Sequence, residues 1–285
     1  MKAVIPCGGM GTRFLPITKA VPKELLPIVD VPVLSHIIDE CVQSGIHEVL
    51  IVISPQKQII KDYFSNNERL YEDLMRSGKT ELAATVASVC GNAEISFVVQ
   101  EKPIGSAHAV AITKPFVGDN PFVLALGDDL IVGSPPVTKQ LVDAYNDVKS
   151  TIIGVQRHDG DDITKYGVAD VALESGKLSL LKGIVEKPPL TALPSRLACY
   201  GRYVLHDIFT YIDKIQAGKD GEYQITDALM LQCMAAKVYA YEFDGKRYDM
   251  GDKFGSLQAA IELSLMRKDF GEELKRYIKE LASRI

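Results

Sequence analysis

From residue 2 to residue 155 the chain alternates short runs that are apolar at every position with segments of helical periodicity. A strand that is apolar on both faces must be covered from both sides, which favours a parallel sheet between two layers of helices. The right-handed crossover rule then predicts a doubly wound, Rossmann-like α/β sheet. The predicted strands of this part are residues 2–6, 49–53, 95–99, 122–126 and 152–155.

Helical patterns fill the segments between these strands. The clearest begins at Pro32, where Val33, Leu34, Ile37 and Ile38 recur at three- and four-residue steps, and Gly45 is its natural stop. Further helices are predicted over residues 56–64, 66–88, 106–113 and 135–148.

The pattern changes after Tyr166, where three strand-like runs follow one another without long helices between them. A mixed or antiparallel extension of the sheet is therefore expected, and the fold class is α/β with a Rossmann-like, doubly wound mixed sheet and a helical C-terminal appendage. We interpret residues 1–285 as a single domain, with a core over about 1–252 and the helical segment over about 253–285. The later elements are strands 168–173, 178–186, 197–204 and 238–243 and a helix over 222–235.

The charge balance limits the possible ligands. The 285 residues carry 32 Lys plus Arg against 37 Asp plus Glu, a net charge of −5, which argues against a nucleic-acid-binding surface. No apolar run approaches the ~18 residues of a membrane span, and the run at residues 1–6 is far too short for a signal peptide. Cysteine spacing fits neither a disulfide framework nor a zinc site, so a cytoplasmic protein is expected. The cysteines are Cys7, Cys41, Cys90, Cys199 and Cys233.

A glycine-rich loop, Gly8-Gly9-Met10-Gly11-Thr12-Arg13, follows the first predicted strand directly. It lacks the third glycine of the dinucleotide fingerprint and the G-K-[ST] ending of a Walker loop. Glycines at this position still let backbone amides approach a phosphate closely, and Arg13 adds a fork of donors suited to phosphate oxygens. A tight turn with a solvated arginine is the alternative.

The segment that follows supports a functional loop, because it runs to about residue 30 and is too long for an ordinary strand–helix turn. Residues 1–29 also hold four cationic side chains against one acidic side chain, Glu24, which is a local charge of +3. The cations are Lys2, Arg13, Lys19 and Lys23.

Two carboxylates, Asp128 and Asp129, follow the fourth predicted strand across Gly127. Open α/β sheets bind ligands at the carboxyl ends of their strands, and Mg²⁺ takes one or two carboxylates together with substrate phosphates. The pair is therefore a candidate metal site, with capping of the next helix as the alternative.

The segment from residue 6 to residue 32 resembles the signature of the sugar-nucleotide pyrophosphorylases, in particular the prokaryotic UTP–glucose-1-phosphate uridylyltransferases. Their form G-T-R-F-L-P-x-T-K-x-x-P-K-E-x-L-P-I-V-D-x-P is followed from Gly11 to Pro32. Just before it, residues 7–9 read Cys-Gly-Gly where the family usually has Ala-Ala-Gly. The resemblance spans nearly the whole chain, continuing at Gly127-Asp128-Asp129, Lys165-Tyr166-Gly167, Val185-Glu186-Lys187-Pro188, Gly201-Arg202-Tyr203 and Arg247-Tyr248-Asp249.

The resemblance implies a nucleotide-diphospho-sugar transferase fold and a Mg²⁺-dependent reaction. A phosphate oxygen of glucose 1-phosphate would attack the α-phosphorus of UTP in line, giving UDP-glucose and pyrophosphate. Such chemistry depends on positioning and on charge stabilisation, without a covalent enzyme intermediate. The substrates together bring about six negative charges, so clustered cations and a metal are expected.

The resemblance also implies roles for individual residues. Arg13, Lys23, Asp128 and Lys187 would be catalytic, and Asp128 together with Asp249 would bind Mg²⁺. In the alternative interpretations, Asp249 caps a helix and Lys187 is an ordinary surface residue.

The sugar and the base would have their own ligands. By resemblance, Glu186 accepts hydrogen bonds from the glucose hydroxyls, and Gln100 reads the uracil edge with Gly105 beneath the base. His108 is interpreted as a packed helix residue and not as a catalytic one. The other substrate-binding residues implied are Gly8, Gly9, Gly11, Thr12, Glu24, Gly127 and Gly167.

Other functions stay open at this stage. They are a thymidylyl- or other sugar-1-phosphate nucleotidyltransferase, a non-catalytic sugar-nucleotide-binding regulatory protein and, more distantly, an NAD-dependent oxidoreductase. The expected partners are UTP, glucose 1-phosphate, UDP-glucose and pyrophosphate, with no nucleic acid and no membrane. A homo-oligomer, dimer or tetramer, is also expected, and the C-terminal helices are able to pack either on their own domain or on a partner subunit.

Overall fold

The computed structural model describes residues 1–89, 91–218 and 221–285, and Cys90 lies outside the described residues. The strands are β1 Lys2–Cys7, β2 Pro27–Ile28, β3 Val31–Pro32, β4 Glu48–Ile53, β5 Glu94–Val99, β6 Phe122–Ala125, β7 Asp129–Val132, β8 Ile152–Arg157, β9 Gly167–Ser175, β10 Leu178–Glu186, β11 Leu197–Leu205, β12 Tyr239–Glu242 and β13 Lys246–Asp249. The α-helices are α1 Val33–Gln43, α2 Gln58–Phe64, α3 Glu68–Arg76, α4 Thr80–Ala87, α5 Ser106–Ala111, α6 Lys114–Val117, α7 Val137–Val148, α8 Phe209–Ile212, α9 Ile225–Ala235, α10 Lys253–Leu265 and α11 Gly271–Ala282.

The main sheet has the strand order β5-β4-β1-β6-β11-β8-β12-β10-β9. Strands β5, β4, β1 and β6 run parallel, while β11 pairs antiparallel with β6 and β8. Two hydrophobic cores cover the two faces, so Ile5 of β1 packs with α1 and α7 on one side and Val4 packs with α5 and α9 on the other. The predicted doubly wound mixed sheet is confirmed.

The second half of the chain extends this sheet as predicted. Strands β9 and β10 form an antiparallel pair, and β9 also contacts β11 antiparallel. Strand β12 lies between β8 and β10, parallel to the first and antiparallel to the second.

Several features depart from the sequence-based expectation, among them the short strands β2 and β3, the short helices α6 and α8, and the following two. The helix expected over residues 66–88 is two helices, α3 and α4, because the chain turns at Gly78, whose φ of 71° favours glycine. Strands β7 and β13, which were not predicted, pair antiparallel with each other. Each is four residues long and its partner is distant in the sequence, so local periodicity gives little sign of them.

The C-terminal helices pack on the body of the same chain. Ala259 of α10 lies in the core, and the Tyr248 hydroxyl of β13 donates to Glu262 of α10. Arg267, just beyond α10, forms an ion pair with Asp30 of the long loop. Within the described part of the chain, no helix is both long and apolar enough to cross a membrane.

A buried ion pair between Arg202 and Glu40 joins β11, α1 and α7. Arg202 of β11 is fully buried, and its Nη2 donates to Oε2 of Glu40 on α1 at 2.7 Å. Glu40 Oε1 also accepts from the backbone amide of Thr138 at 2.9 Å and from its hydroxyl at 2.6 Å, in the first turn of α7. The carboxylate therefore serves both as counter-ion to β11 and as a cap for α7.

Removal of the cation of this pair should destabilise the whole fold. We expect Arg202→Met to lower the free energy of unfolding by about 3–5 kcal/mol, because Glu40 would be left charged and buried without a counter-ion. The matched control is Lys139→Met, which breaks the exposed pair of Lys139 with Asp143 and should cost less than about 1 kcal/mol. Urea unfolding measures both, and equal losses would contradict the prediction.

Candidate active site

The candidate site lies at the carboxyl ends of the parallel strands, where the loops after β1, β4, β5 and β6 meet. The loop after β6 fits tightly against the end of β1. A Cβ atom at Gly127 would lie 2.9 Å from the Cys7 Sγ atom and 3.1 Å from the Pro6 carbonyl oxygen. Glycine is therefore required there for Asp128 to reach the loop that follows β1.

Lys23 and Asp128 form a direct ion pair in this site, with Nζ and Oδ2 2.5 Å apart. Burial acts against both charges, but the mutual attraction outweighs it, so the pKa of Lys23 is raised and that of Asp128 is lowered. Both groups are therefore charged at neutral pH. The glycine loop passes close to the lysine, since a Cβ atom at Gly9 would lie 3.7 Å from Nζ.

A second ion pair, between Lys57 and Glu24, is more completely buried than the pair of Lys23 with Asp128. The Lys57 ammonium donates to both carboxylate oxygens of Glu24, at 2.8 and 2.7 Å, and only 1% of Glu24 is exposed. Burial raises the pKa of Glu24, and the positive charge of Lys57 opposes that rise. The pair fastens the loop after β1 to the short turn Pro55–Lys57 after β4. A direct contact of Glu24 with substrate stays a prediction, because its observed partner is Lys57.

Arg13 lies across the site from this pair, on the exposed side of the glycine loop. A Cβ atom at Gly251 would lie 2.6 Å from Arg13 Nη2 and 3.1 Å from Asp249 Oδ1. The guanidinium is therefore within about 6 Å of the Asp249 carboxylate, whose ion-pair partner is Arg247 at 3.4 Å. Gly11 takes a φ of 67° at the start of the turn that carries Thr12 and Arg13, and its carbonyl accepts from the Thr18 hydroxyl at 2.8 Å.

Asp129 is a buried structural carboxylate and does not cap a helix. It begins β7, and its oxygens accept from Arg247 Nε at 2.6 Å and from the backbone amide of Gly201 at 2.8 Å. The Arg247 guanidinium lies against two neighbouring rings, 4.6 Å from the Tyr166 centroid and 4.2 Å from the Tyr200 centroid. This contact holds β13 against the site.

Asp249, at the end of β13, points its carboxylate into the same region. Its oxygens accept from the Gly251 amide at 2.9 Å and from the Tyr166 hydroxyl at 2.8 Å. Burial raises the pKa of Tyr166 to about 12, so this hydroxyl stays protonated and donates. The alternative of Asp249 as a helix cap is wrong, because Asp252 caps α10 by accepting from the amides of Phe254 and Gly255.

The backbones of the two residues expected to bind metal, Asp128 and Asp249, are close together in the fold. Asp249 is paired in register with Asp129, and the Met250 amide donates to the Asp128 carbonyl at 3.0 Å. Among residues 1–89, 91–218 and 221–285 there is no cluster of three or more His, Cys, Asp or Glu side chains that could hold a metal. Two carboxylates completed by substrate phosphates fit the ligand preference of a hard divalent cation.

Gly167, Glu186 and Lys187 lie together at the ends of β9 and β10. Gly167 pairs in register with Glu186, and a Cβ atom at Gly167 would lie 3.4 Å from Glu186 Oε2. Lys187 has a φ of 45°, and its amide donates to the Tyr166 carbonyl at 3.2 Å. Tyr166 therefore links this group to Asp249.

Gln100 follows β5 and faces the glycine loop. Its Nε2 donates to the Gly105 carbonyl at 3.3 Å, and a Cβ atom at Gly8 would lie 2.8 Å from its Oε1. Gly105 has a φ of 115°, and a Cβ there would come within 2.3 Å of the Tyr223 carbonyl oxygen. A cavity of about 350 Å³ opens beside these residues, lined by Gly8, Thr18, Lys19, Ser54, Glu101 and Pro103 among others.

Comparison with known proteins agrees with this geometry. A sequence model described as "Nucleotidyl transferase" matches residues 2–264. The chain belongs to the nucleotidyl transferase family.

Individual relatives of this nucleotidyl transferase cover nearly its whole length. It is 41% identical over 284 residues to UTP–glucose-1-phosphate uridylyltransferase of Bacillus subtilis strain 168, covering 99% of this chain and 97% of that protein. The structure of UTP-bound UGPase from Acinetobacter baumannii superposes with a TM-score of 0.91 at 34% identity, covering 98% and 99% of the two chains. A UDP-glucose pyrophosphorylase complexed with UDP-glucose gives a TM-score of 0.83 at 34% identity, covering 93% of this chain and 99% of the other.

The structure adds residues that the sequence analysis did not select. Lys57 comes shortly after β4, so its position at the carboxyl edge of a parallel strand could have identified it. Arg247 and Tyr166 stand in motifs that were quoted for the resemblance, but their contacts with Asp129 and Asp249 depend on chain segments distant in sequence.

The Lys57–Glu24 ion pair should hold the long loop after β1 in its folded position in this nucleotidyl transferase. We expect Lys57→Met to lower the free energy of unfolding by about 3–5 kcal/mol, because Glu24 would lose its only counter-ion at hydrogen-bond distance in the described structure. Limited trypsin digestion should also cut faster at Arg13 or Lys19. The control is Lys61→Met, which changes an exposed lysine on α2. Unchanged unfolding and digestion of Lys57→Met would show that the pair does not hold the loop.

Proposed function

We propose that this chain is a uridylyltransferase that forms UDP-glucose and pyrophosphate from UTP and glucose 1-phosphate. The observation that carries the proposal is the charged group at the carboxyl ends of β1 and β6, where Lys23, Asp128, Arg13 and Asp249 meet. The names of the relatives, which include a UTP-bound and a UDP-glucose-bound structure, support the same reaction.

Different residues would bind the triphosphate and the base of UTP. Arg13 and Lys23 would hold the triphosphate, because each presents a cation beside the glycine loop. Gln100, with Gly8 and Gly105, would bind the base. Backbone amides of Gly9, Gly11 and Thr12 would face the phosphates.

The sugar would be bound at the ends of β9 and β10. Glu186 and Gly167 would contact the glucose, and Lys187 would hold its phosphate in line with the α-phosphorus of UTP. This arrangement lowers the barrier by fixing the two reactants and by neutralising charge, which are the two contributions that phosphoryl transfer needs.

We also infer that the divalent metal is Mg²⁺ and that Asp128 and Asp249 hold it. When bound, Mg²⁺ supplies positive charge that neutralises phosphate oxygens. The Tyr166 hydroxyl and the Gly251 amide keep the Asp249 carboxylate oriented, and Lys23 keeps Asp128 ionised.

The cations of the long loop provide a direct test. Arg13→Ala and Lys23→Ala should keep the secondary structure of the wild type but lose turnover by about a hundredfold, or about 3 kcal/mol, because each removes a charged contact made mainly in the transition state. Lys61→Ala is the control for loss of an exposed cation. Steady-state pyrophosphate release measures all three, and full activity of either loop variant would remove that residue from the site.

Nucleotide choice separates the proposed function from its rivals. Pyrophosphate release should be fastest with UTP when UTP, dTTP, CTP and ATP are each combined with glucose or galactose 1-phosphate in Mg²⁺. A preference for dTTP would favour the thymidylyltransferase alternative. Binding of UDP-glucose without turnover would favour a regulatory protein.

A homo-oligomer and a cytoplasmic location complete the proposal. Helix α10 exposes Phe254, Leu257, Ile261 and Leu265 at three- and four-residue steps, and α11 exposes Tyr277 and Leu281 at a four-residue step. A second copy of this chain would cover these apolar faces. The cysteines within the described residues are free thiols, which supports a reducing compartment.

Assembly should therefore depend on the C-terminal helices. A chain ending at Arg267 lacks α11, and we expect light scattering after gel filtration to show a smaller assembly than the dimer or tetramer of the full chain. The far-ultraviolet circular dichroism spectrum should keep its native shape. An unchanged assembly with intact folding would exclude α11 as a subunit contact.

A further inference from the structure

The side-chain amide of Gln100 is held from two directions. Its Nε2 donates to the Gly105 carbonyl at 3.3 Å and lies 2.9 Å from Nδ1 of His108 on α5. Only 3% of Gln100 is exposed, so the amide is fixed inside the protein and does not turn in solvent.

The carbonyl of Gly105 identifies which end of the Gln100 amide is the nitrogen, and the shorter of the two contacts of that nitrogen is the one with His108. A carbonyl oxygen only accepts, so the atom facing it must be the Gln100 nitrogen. The same nitrogen faces His108 with its second hydrogen, so Nδ1 of His108 accepts and the ring proton is on Nε2. Both amide hydrogens of Gln100 are then used within the protein.

The third polar position of Gln100 is left for a ligand. Among the residues that the structure describes, no donor is hydrogen-bonded to Oε1, which faces Gly8. The space is available because position 8 has no Cβ, which would lie 2.8 Å from Oε1. Gly8 lines the adjoining cavity and Oε1 lies behind it, so Gln100 offers an acceptor at this position and has no free donor.

His108 has little freedom to change this arrangement. Helix α5 is anchored to the segment before α9, because the Ala107 amide donates to the Tyr223 carbonyl at 2.9 Å and the Ser106 hydroxyl donates to Gln224 at 2.9 Å. The Nδ1 atom is therefore held at the distance from Gln100 that the hydrogen bond requires.

We propose that His108 is a positioning residue that sets base specificity by holding Gln100 with its carbonyl oxygen toward the base. The ring N3 of uracil or thymine carries a hydrogen and donates to Oε1, whereas N3 of cytosine is an acceptor and meets Oε1 with a lone pair. The contact selects imide pyrimidines as a class and does not separate UTP from dTTP. This inference rests on the proposed function.

The experiment compares His108→Asn with His108→Leu. The Asn side chain can place an acceptor near the position of Nδ1, while Leu has a similar size and no acceptor. The matched control is His47→Leu, because His47 is exposed and precedes β4 at the opposite edge of the sheet. The measured quantity is the ratio of kcat/KM for UTP to kcat/KM for CTP with glucose 1-phosphate, with kcat and KM reported separately and thermal unfolding of each variant.

The expected result is a changed ratio in one variant only. His108→Leu should reduce the UTP-to-CTP ratio by at least about fivefold, the value of one lost hydrogen bond, mainly through KM for UTP. His108→Asn and His47→Leu should stay within about twofold of wild type.

The outcomes separate the two proposals. A wild-type protein that forms no UDP-glucose would overturn the proposed function itself. Wild-type turnover with an unchanged ratio in His108→Leu would overturn only the role of His108. An equal loss in His108→Asn would also overturn it, since the acceptor would then not matter. If His108→Leu does not fold, His108→Ala, which also removes the acceptor, supplies the test beside His108→Asn, and a UTP-to-CTP ratio that is unmoved by His108→Ala overturns the proposal.

Discussion

Carboxylates gathered at the carboxyl ends of parallel strands have to be balanced by cations, and the site is organised around that requirement. Lys57 balances Glu24, Lys23 balances Asp128 and Arg247 balances Asp129. Each pair joins segments that are distant in the sequence, so the charge balance also sets the position of the loop after β1 and of β13. An uncompensated carboxylate at Glu24 or Asp129, the two that are buried, would cost several kcal/mol.

These ion pairs reduce the positive charge that residues 1–29 can offer to a ligand. Counted along the sequence, residues 1–29 carry +3, but Lys23 is neutralised by Asp128, and Lys2 pairs with Glu48 at the amino end of β1. Arg13 is the cation of this segment that the fold brings to Asp249. The proposed substrates carry about six negative charges, more than the loop can offset, which is the physical reason for the proposed Mg²⁺.

The arrangement also connects the two ends of the proposed reaction. Tyr166 contacts Asp249 through its hydroxyl and Lys187 through its carbonyl, so one residue joins the proposed metal ligand to the proposed sugar-phosphate ligand. On the nucleotide side, Gln100 is held in a single orientation by Gly105 and His108. The Gly8 of this chain, where the family usually has alanine, leaves room for that orientation.

The sequence by itself determined the parallel half of the sheet, because runs such as Val49-Leu50-Ile51-Val52-Ile53 are apolar on both faces. The motif of the long loop also predicted which residues of that loop would lie at the site. The tertiary structure decided the partners. Lys57 with Glu24, Arg247 with Asp129 and Asp252 as the helix cap were not assigned beforehand. Strands β7 and β13 were missed for the same reason. Periodicity in the sequence indicates which face of a helix or strand is buried. An ion pair or a short strand forms only where a second segment, distant in the sequence, supplies the opposite charge or the pairing strand.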